Sequence, residues 1–224
     1  MLKFLAAVAL GSWSGAALFA EPCQTKSGIP CFSLTYVHSV WALVQSPVRD
    51  LLTAEVNGTM AIRQDGSFVH LIQPNSRFAV RDRQEMAGRS TRLYLDGRLI
   101  VDQELKPEYG FRHPGLFFLE GPYRRSPDGD QGCRAMMVSL FAQPNPQRTG
   151  TAAMLGEPVV NWKIAGKAGE YTAAVAPGLD CQILRLEISE YRYRYLPVRK
   201  ELFEAKTLRR GEPAAALFMP PKGR

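Results

Sequence analysis

Residues Thr53–Arg63 read TAEVNGTMAIR, and this stretch decides the fold because apolar and polar residues alternate along it. A strand of an antiparallel sheet with one buried face produces this period of two. Asp65-Gly66 follows, a dipeptide typical of hairpin turns, and Ser67–Gln73 is predicted as the returning strand. One face of the first strand holds Ala54, Val56, Gly58, Met60 and Ile62.

The same period continues along most of the chain, so we predict about ten strands in a mainly β antiparallel meander. The best helical candidate is Val37–Leu52, although Pro47 interrupts it. The further predicted strands are Arg77–Asp82, Arg92–Leu95, Arg98–Leu105, Ala135–Ala142, Pro158–Ala165, Glu170–Ala176, Gln182–Ser189 and a last region from about Arg192 to Arg209.

Residues 106–132 break the pattern with repeated Pro and Gly, yet they include an apolar patch at Phe111 and 116–119. A long loop in a compact domain is often functional. Its aromatic residues could equally cap one end of the core, and the sequence leaves both interpretations open.

Residues 1–20 have the features of a cleavable secretory signal peptide, with Lys3 followed by an apolar run from Phe4 to Leu10. The apolar run is shorter than the roughly 20 residues of a spanning helix, although an uncleaved anchor is the alternative. Glu21-Pro22 before Cys23 fits lipid attachment badly. We therefore expect residues 21–224 to form one exported β-rich domain, soluble in the periplasm or outside the cell, with a disordered tail from about residue 220.

The formal charge of +7 predicts attraction to anionic envelope surfaces such as lipid headgroups or cell-wall polymers. The four cysteines predict two disulfides in an oxidising compartment. Three pairings can be drawn. Proximity favours Cys23–Cys31, which leaves Cys133–Cys181 to join two late strands.

Sequence motifs for catalysis are missing: there is no GxSxG in the mature chain, no P-loop, no GxGxxG and no HExxH. The cysteines lack CxxC spacing, so we expect neither a metal ion nor another cofactor. Tyr191–Tyr195 alternates Tyr with Arg, a pattern found in single-strand nucleic-acid sites and in core-facing aromatic ladders. Export favours the ladder, so no nucleic-acid partner is expected.

Three short strings together resemble exported bacterial proteins of the periplasmic lipoprotein-carrier type, the LolA/LolB-like fold. They are Gly58–Ser67 (GTMAIRQDGS), Ala176–Cys181 (APGLDC), and Gly211-Glu212-Pro213 with Leu217–Pro221 (LFMPP). The resemblance implies a curved antiparallel sheet forming an unclosed β-barrel, or half-barrel, with a few short helices or loops over its concave face.

An apolar concave face is a natural site for an acyl chain. We therefore predict a non-enzymatic binding protein for a lipid or lipidated protein. The alternative is an envelope protein–protein adaptor that acts through the 106–132 loop or the basic strands, and the oligomeric state stays open. The candidate lining residues of the cavity are Val56, Met60, Ile62, Phe68, Phe78, Val80, Trp162 and Leu186.

Overall fold

The computed structural model describes residues 23–26, 28–45, 48–74, 90–95, 98–103, 130–141, 145–165, 169–192 and 196–219. The predicted signal peptide and the tail from about residue 220 lie outside them. An α-helix, α1, spans Asp130–Phe141, and 3₁₀ turns lie at Pro177–Leu179 and Ala215–Phe218. The strands are β1 Phe32–Gln45, β2 Val48–Ile62, β3 Phe68–Pro74, β4 Ser90–Leu95, β5 Arg98–Gln103, β6 Gln147–Met154, β7 Glu157–Ala165, β8 Gly169–Ala176, β9 Gln182–Arg192 and β10 Leu196–Arg210.

All ten strands belong to one antiparallel sheet in the order β5-β4-β3-β2-β1-β10-β9-β8-β7-β6. Two meanders of five strands, β1–β5 and β6–β10, therefore meet where β1 pairs with β10. In the described part of the chain no ladder joins β5 to β6, so the sheet is not closed. The predicted fold class, a mainly β unclosed antiparallel sheet with little helix, is confirmed.

Register shifts bend this sheet at several ladders. They occur between Thr35 and Tyr36, between Val40 and Trp41, and between Ala174 and Val175, among other places. A bulge bends its strand and increases the local twist. These shifts therefore give the sheet a physical cause of curvature along its length.

The prediction of a helix at Val37–Leu52 is wrong, because β1 and β2 form a hairpin through this region. Alternation explains the error: Phe32, Leu34, Tyr36, His38 and Val40 are all buried on one face of β1. Two of these five residues are a tyrosine and a histidine, so an apolar period of two is hard to see in the sequence.

The predicted strand at Thr53–Arg63 is confirmed as the second part of β2, with Val56, Met60 and Ile62 buried and Asn57 exposed. The Asp65-Gly66 turn is also confirmed. Gly66 has a φ of 83°, and the Ser67 amide donates to Asp65 Oδ1 at 2.8 Å. The hairpin predicted on either side of Asp96-Gly97 is present as β4 and β5, whereas Arg77–Asp82 lies outside the described residues.

The prediction of a strand at Ala135–Ala142 is wrong, because residues 135–141 form the C-terminal part of the helix α1. Cys133, Met137 and Phe141 are buried and lie four residues apart, which is the spacing of one helix face. The sequence reading also missed β6. Seven of the eight residues of β6 are exposed, so its sequence shows no alternation of apolar and polar residues.

The main apolar core lies on one face of the sheet and includes residues from both meanders together with α1. The opposite face carries a small second cluster, in which Phe218 of the C-terminal 3₁₀ turn packs with Ala61 and Val69. The main core therefore lies on the face of the sheet where the ligand site was predicted.

Candidate ligand-binding face

The six described candidates of the predicted lining are all buried on the core side of the sheet: Val56, Met60, Ile62, Phe68, Trp162 and Leu186 are at most 5% exposed. Five of them belong to the main cluster, and Val56 packs in a smaller one with Val40 and Ile72. Phe78 and Val80 lie outside the described residues. The structure thus brings the described candidates to one face, where they are packed as core.

Three of these residues lie on one line across the sheet, although they come from distant parts of the chain. Neighbouring strands are about 4.8 Å apart, so the line extends roughly 24 Å over five strand-to-strand steps. Its cross-strand neighbours, in order, are Trp162, Ala173, Leu186, Phe203, His38 and Val56. The line is apolar except at His38.

His38 belongs to a buried polar cluster with Glu201 and Arg199 that the sequence reading did not single out as a site. The His38 Nε2–H donates to Glu201 Oε2 at 3.1 Å, and the two side chains are 5% and 1% exposed. Arg199 Nη2 lies 2.6 Å from Glu201 Oε1, so each carboxylate oxygen has a positively polarised neighbour. A sequence signal existed: Glu201 shares its strand face with Phe203 and Ala205, both buried.

The Glu201 carboxyl is held in its ionised form. Burial alone would raise its pKa, but the hydrogen bond and charge of His38, together with Arg199, outweigh burial and lower the pKa below its ordinary value. A buried carboxylate that is hydrogen-bonded to His38 and ion-paired with Arg199 is stabilised as a fixed charge, and protonating it is correspondingly costly. This arrangement suits a structural or electrostatic role better than acid–base chemistry.

A second buried polar contact lies beside this cluster on β1. The Tyr36 hydroxyl is hydrogen-bonded to His70 Nε2 at 2.8 Å, and burial raises the pKa of Tyr36. The Tyr36 ring lies over Gly58, where an added Cβ would be 1.8 Å from the ring. Glycine is thus required at position 58 by the close approach of the ring.

Trp162 contributes a buried polar atom to the same face. Its Nε1 has no hydrogen-bond partner among the residues that the structure describes. A buried indole N–H normally finds an acceptor. Trp162 therefore gives the mostly apolar face one free donor.

Two disulfides hold further segments to the sheet, with the pairing that proximity favoured: Cys23–Cys31 and Cys133–Cys181. The second does not join two strands, which corrects the prediction. Cys133 lies on α1 and Cys181 on the turn before β9, so this disulfide fixes the helix over the β6–β10 half. The Phe141 and Tyr171 rings, 4.8 Å apart, add a contact in the same half.

The N-terminal disulfide lies beside the Glu212 carboxylate, and the three ligand atoms are within 4.8 Å of one another. Both sulfurs are used in the disulfide. Glu212 itself accepts from Arg63 Nε at 2.8 Å and from the Gln64 amide at 3.0 Å. This carboxylate therefore ties the chain after β10 to the β2–β3 turn. None of the described helices is long and apolar enough to cross a membrane.

Fold and site define a mainly β chain whose unclosed antiparallel sheet has one apolar face with a buried polar cluster. Among solved structures, the chain is similar to the Pseudomonas aeruginosa MucA/MucB complex (12% identity, TM-score 0.44), covering 85% of this chain and 56% of that one. It is also similar to the Mycobacterium tuberculosis lipoprotein LppX (12% identity, TM-score 0.35), with 84% and 89% covered. LprF from Mycobacterium bovis matches at 12% identity and a TM-score of 0.34, again with 84% and 89% covered.

The chain spans little more than half the length of the MucB-containing structure that it matches. No known protein family and no curated protein sequence matches the chain. At such low identities and TM-scores, the matches assign neither a ligand nor an activity to it.

Proposed function

We propose that this chain is an exported, non-enzymatic binding protein that holds the acyl chain of a lipid or lipidated protein against the apolar face of its sheet. The observation that carries the proposal is the width of that face relative to its helical cover. Ten strands extend about 43 Å across, whereas a helix with its side chains is about 10–12 Å wide. Helix α1 therefore covers the width of about two strands.

Two contacts of α1, the disulfide to Cys181 and the ring contact of Phe141 with Tyr171, fall in the β6–β10 half. A sheet with one apolar face has to bury it against a second layer. In the β1–β5 half, Met60, Ile62 and Phe68 carry that apolar face. An acyl chain has the right chemistry to serve as part of the cover there. Because these side chains are buried here, the ligand enters by displacing part of the packing.

The polar cluster supplies a place for the ligand's polar end. Arg199 is partly accessible, with a side chain 14% exposed, whereas Glu201 beneath it is 1% exposed. Arg199 Nε has no hydrogen-bond partner among the described residues. We therefore place the carboxylate, ester or phosphate group of the ligand beside Arg199 and its acyl chain along the apolar line through Val56.

The test is native mass spectrometry of the purified full chain, followed by titration with a dansyl-labelled fatty acid. We expect a co-purified lipid and saturable probe binding. A folded protein that carries no lipid and does not bind the probe would refute the proposal.

Two alanine variants localise the binding. Val56→Ala removes a buried side chain on the proposed ligand face, and Val69→Ala removes the same side chain from the opposite face of the neighbouring strand. Both should lose about 1–2 kcal/mol of stability. Only Val56→Ala should change the probe dissociation constant, by about threefold or more. Equal effects on binding would count against the assigned face.

The adaptor alternative has less support in the described residues. Residues 106–129, most of the proposed 106–132 docking loop, lie outside them. On the basic strand β10, four of the five cationic side chains have an ion-pair partner among the described residues: Arg199 with Glu201, Lys200 with Glu187, Lys206 with Glu204, and Arg210 with Glu157. Paired charges leave a weaker field for an anionic partner or envelope surface.

A further inference from the structure

Strand β6 is more exposed than the other strands whose side-chain burial the structure describes. Seven of its eight residues are exposed, on both faces of the sheet, and the eighth, Met154, is partly buried. Strand β6 lies at one of the two edges of the sheet. In the part of the chain that the structure describes, it pairs with β7. The strand therefore contributes little to the core while presenting a row of backbone donors and acceptors.

The edge strand β6 has few charged residues and the central strand β10 has many, which is the reverse of the pattern that protects a sheet edge from pairing with another chain. Natural edge strands usually carry lysines, prolines or other charges that prevent pairing with another chain. Strand β6 reads QRTGTAAM and has one charge, Arg148. The central strand β10 reads LPVRKELFEAKTLRR and is rich in charges, although it is paired on both sides. The small, nearly uncharged side chains of β6 leave its edge open to a second strand.

The tip of the same hairpin carries an exposed apolar side chain. Leu155 is 40% exposed and has a φ of 53°, a left-handed conformation that is unfavourable for leucine. Of the described residues, Leu155 and Met219 are the large hydrophobic side chains that remain exposed. Leu155 thus extends the β6 edge with an apolar contact.

We propose that two copies of this chain pair antiparallel along β6, so that their sheets become one continuous sheet across a two-fold axis. With a two-fold axis perpendicular to the sheet, the residue of β6 that lies on the axis faces the same residue of the second chain. With Thr151 at the axis, Arg148 lies opposite Met154 of the second copy and Gly150 opposite Ala152. No like charges face each other, and Thr–Thr is a favourable cross-strand pair.

Leu155 of each copy then lies opposite Gln147 of the other, which covers its exposed side chain. One eight-residue edge buries less surface than the roughly 1,200 Å² of a stable complex. The dimer is therefore weak and depends on protein concentration.

The test is sedimentation equilibrium of the full chain from micromolar to millimolar concentration. We expect the mass to rise from one chain toward two. A monomer at all concentrations overturns the proposal, and that result would include the case in which β6 pairs with a different protein. Species larger than a dimer also overturn it, because they indicate an open, head-to-tail contact.

Charge substitutions at the axis make the test specific. Thr151→Lys and Thr151→Glu each place like charges opposite one another and should weaken the dimer about fivefold or more. An equimolar mixture of the two variants should restore it. Thr172→Lys is the matched control, because Thr172 is exposed on β8, an interior strand that is paired on both sides. Dimers that persist in Thr151→Lys, or a mixture that fails to restore them, would overturn the proposed pairing.

Discussion

The two five-strand meanders of the sheet are stabilised in different ways. The β6–β10 half has α1 fixed over its inner face by Cys133–Cys181, and its outer face carries ion pairs such as Lys163–Glu170. In the β1–β5 half, the outer face of β2 and β3 is covered by the C-terminal 3₁₀ turn through Phe218. One half therefore has a covalently attached cover on its inner face, whereas the cover described for the other half lies on its outer face.

This difference indicates where a ligand can enter. A cover held by a disulfide cannot leave the sheet without reduction, so ligand exchange is expected over the β1–β5 half. The two halves join at the β1–β10 ladder, and His38 and Glu201 connect them there. The proposed polar anchor therefore lies at the junction of the two halves.

The largest expected effect comes from releasing the cover of the β6–β10 half. Replacing Cys133 and Cys181 by alanine should lower the free energy of unfolding by about 4 kcal/mol, because the bond closes a separation of 48 residues. The matched pair, Cys23 and Cys31, has a separation of 8 residues and should cost about 2.5 kcal/mol. Urea unfolding measures both. A larger loss from the N-terminal pair would contradict the assigned role of the helix disulfide.

The second effect tests the junction. Glu201→Ala leaves His38 and Arg199 buried without their carboxylate and should cost about 3 kcal/mol in urea unfolding at pH 7. Glu204→Ala is the control on the same strand. Glu204 is ion-paired with Lys206 at the surface and should cost less than about 1 kcal/mol. If the two losses are equal, Glu201 does not hold the halves together.

The smallest effect is the pH dependence of that junction. The folded-state pKa of Glu201 is lowered, so its stabilisation is fully present above its unfolded-state pKa, near the ordinary value of 4.5, and is lost as the pH falls through the folded value. The stability difference between the native protein and Glu201→Gln should shrink below about pH 4.5. Urea unfolding at a series of pH values measures it. A difference that grows on acidification would contradict the lowered pKa.

Several local features were predictable because their signal is local. The alternation in Thr53–Arg63 and the Asp65-Gly66 turn depend on residues next to one another, and both are confirmed. Failures came where local signals misled. Tyr36 and His38 are buried on the inner face of β1, so that face does not show as an apolar alternation in the sequence. The spacing of Cys133, Met137 and Phe141 indicates a helix, where a strand was predicted. Strand β6 has no face in the core, so its sequence lacks the apolar period of two that would have predicted a strand.

By itself, the amino-acid sequence determined the strand-rich character, the β2–β3 hairpin and the favoured cysteine pairing, since alternation and short separations act between near neighbours. The tertiary structure alone decided the β1–β10 ladder. That ladder brings together His38 and Glu201, which are 163 residues apart. It also decided that Trp162, Leu186 and Val56 share one line. Strand order and register create such contacts, and a periodicity read along one segment contains no information about which distant strand will become its neighbour.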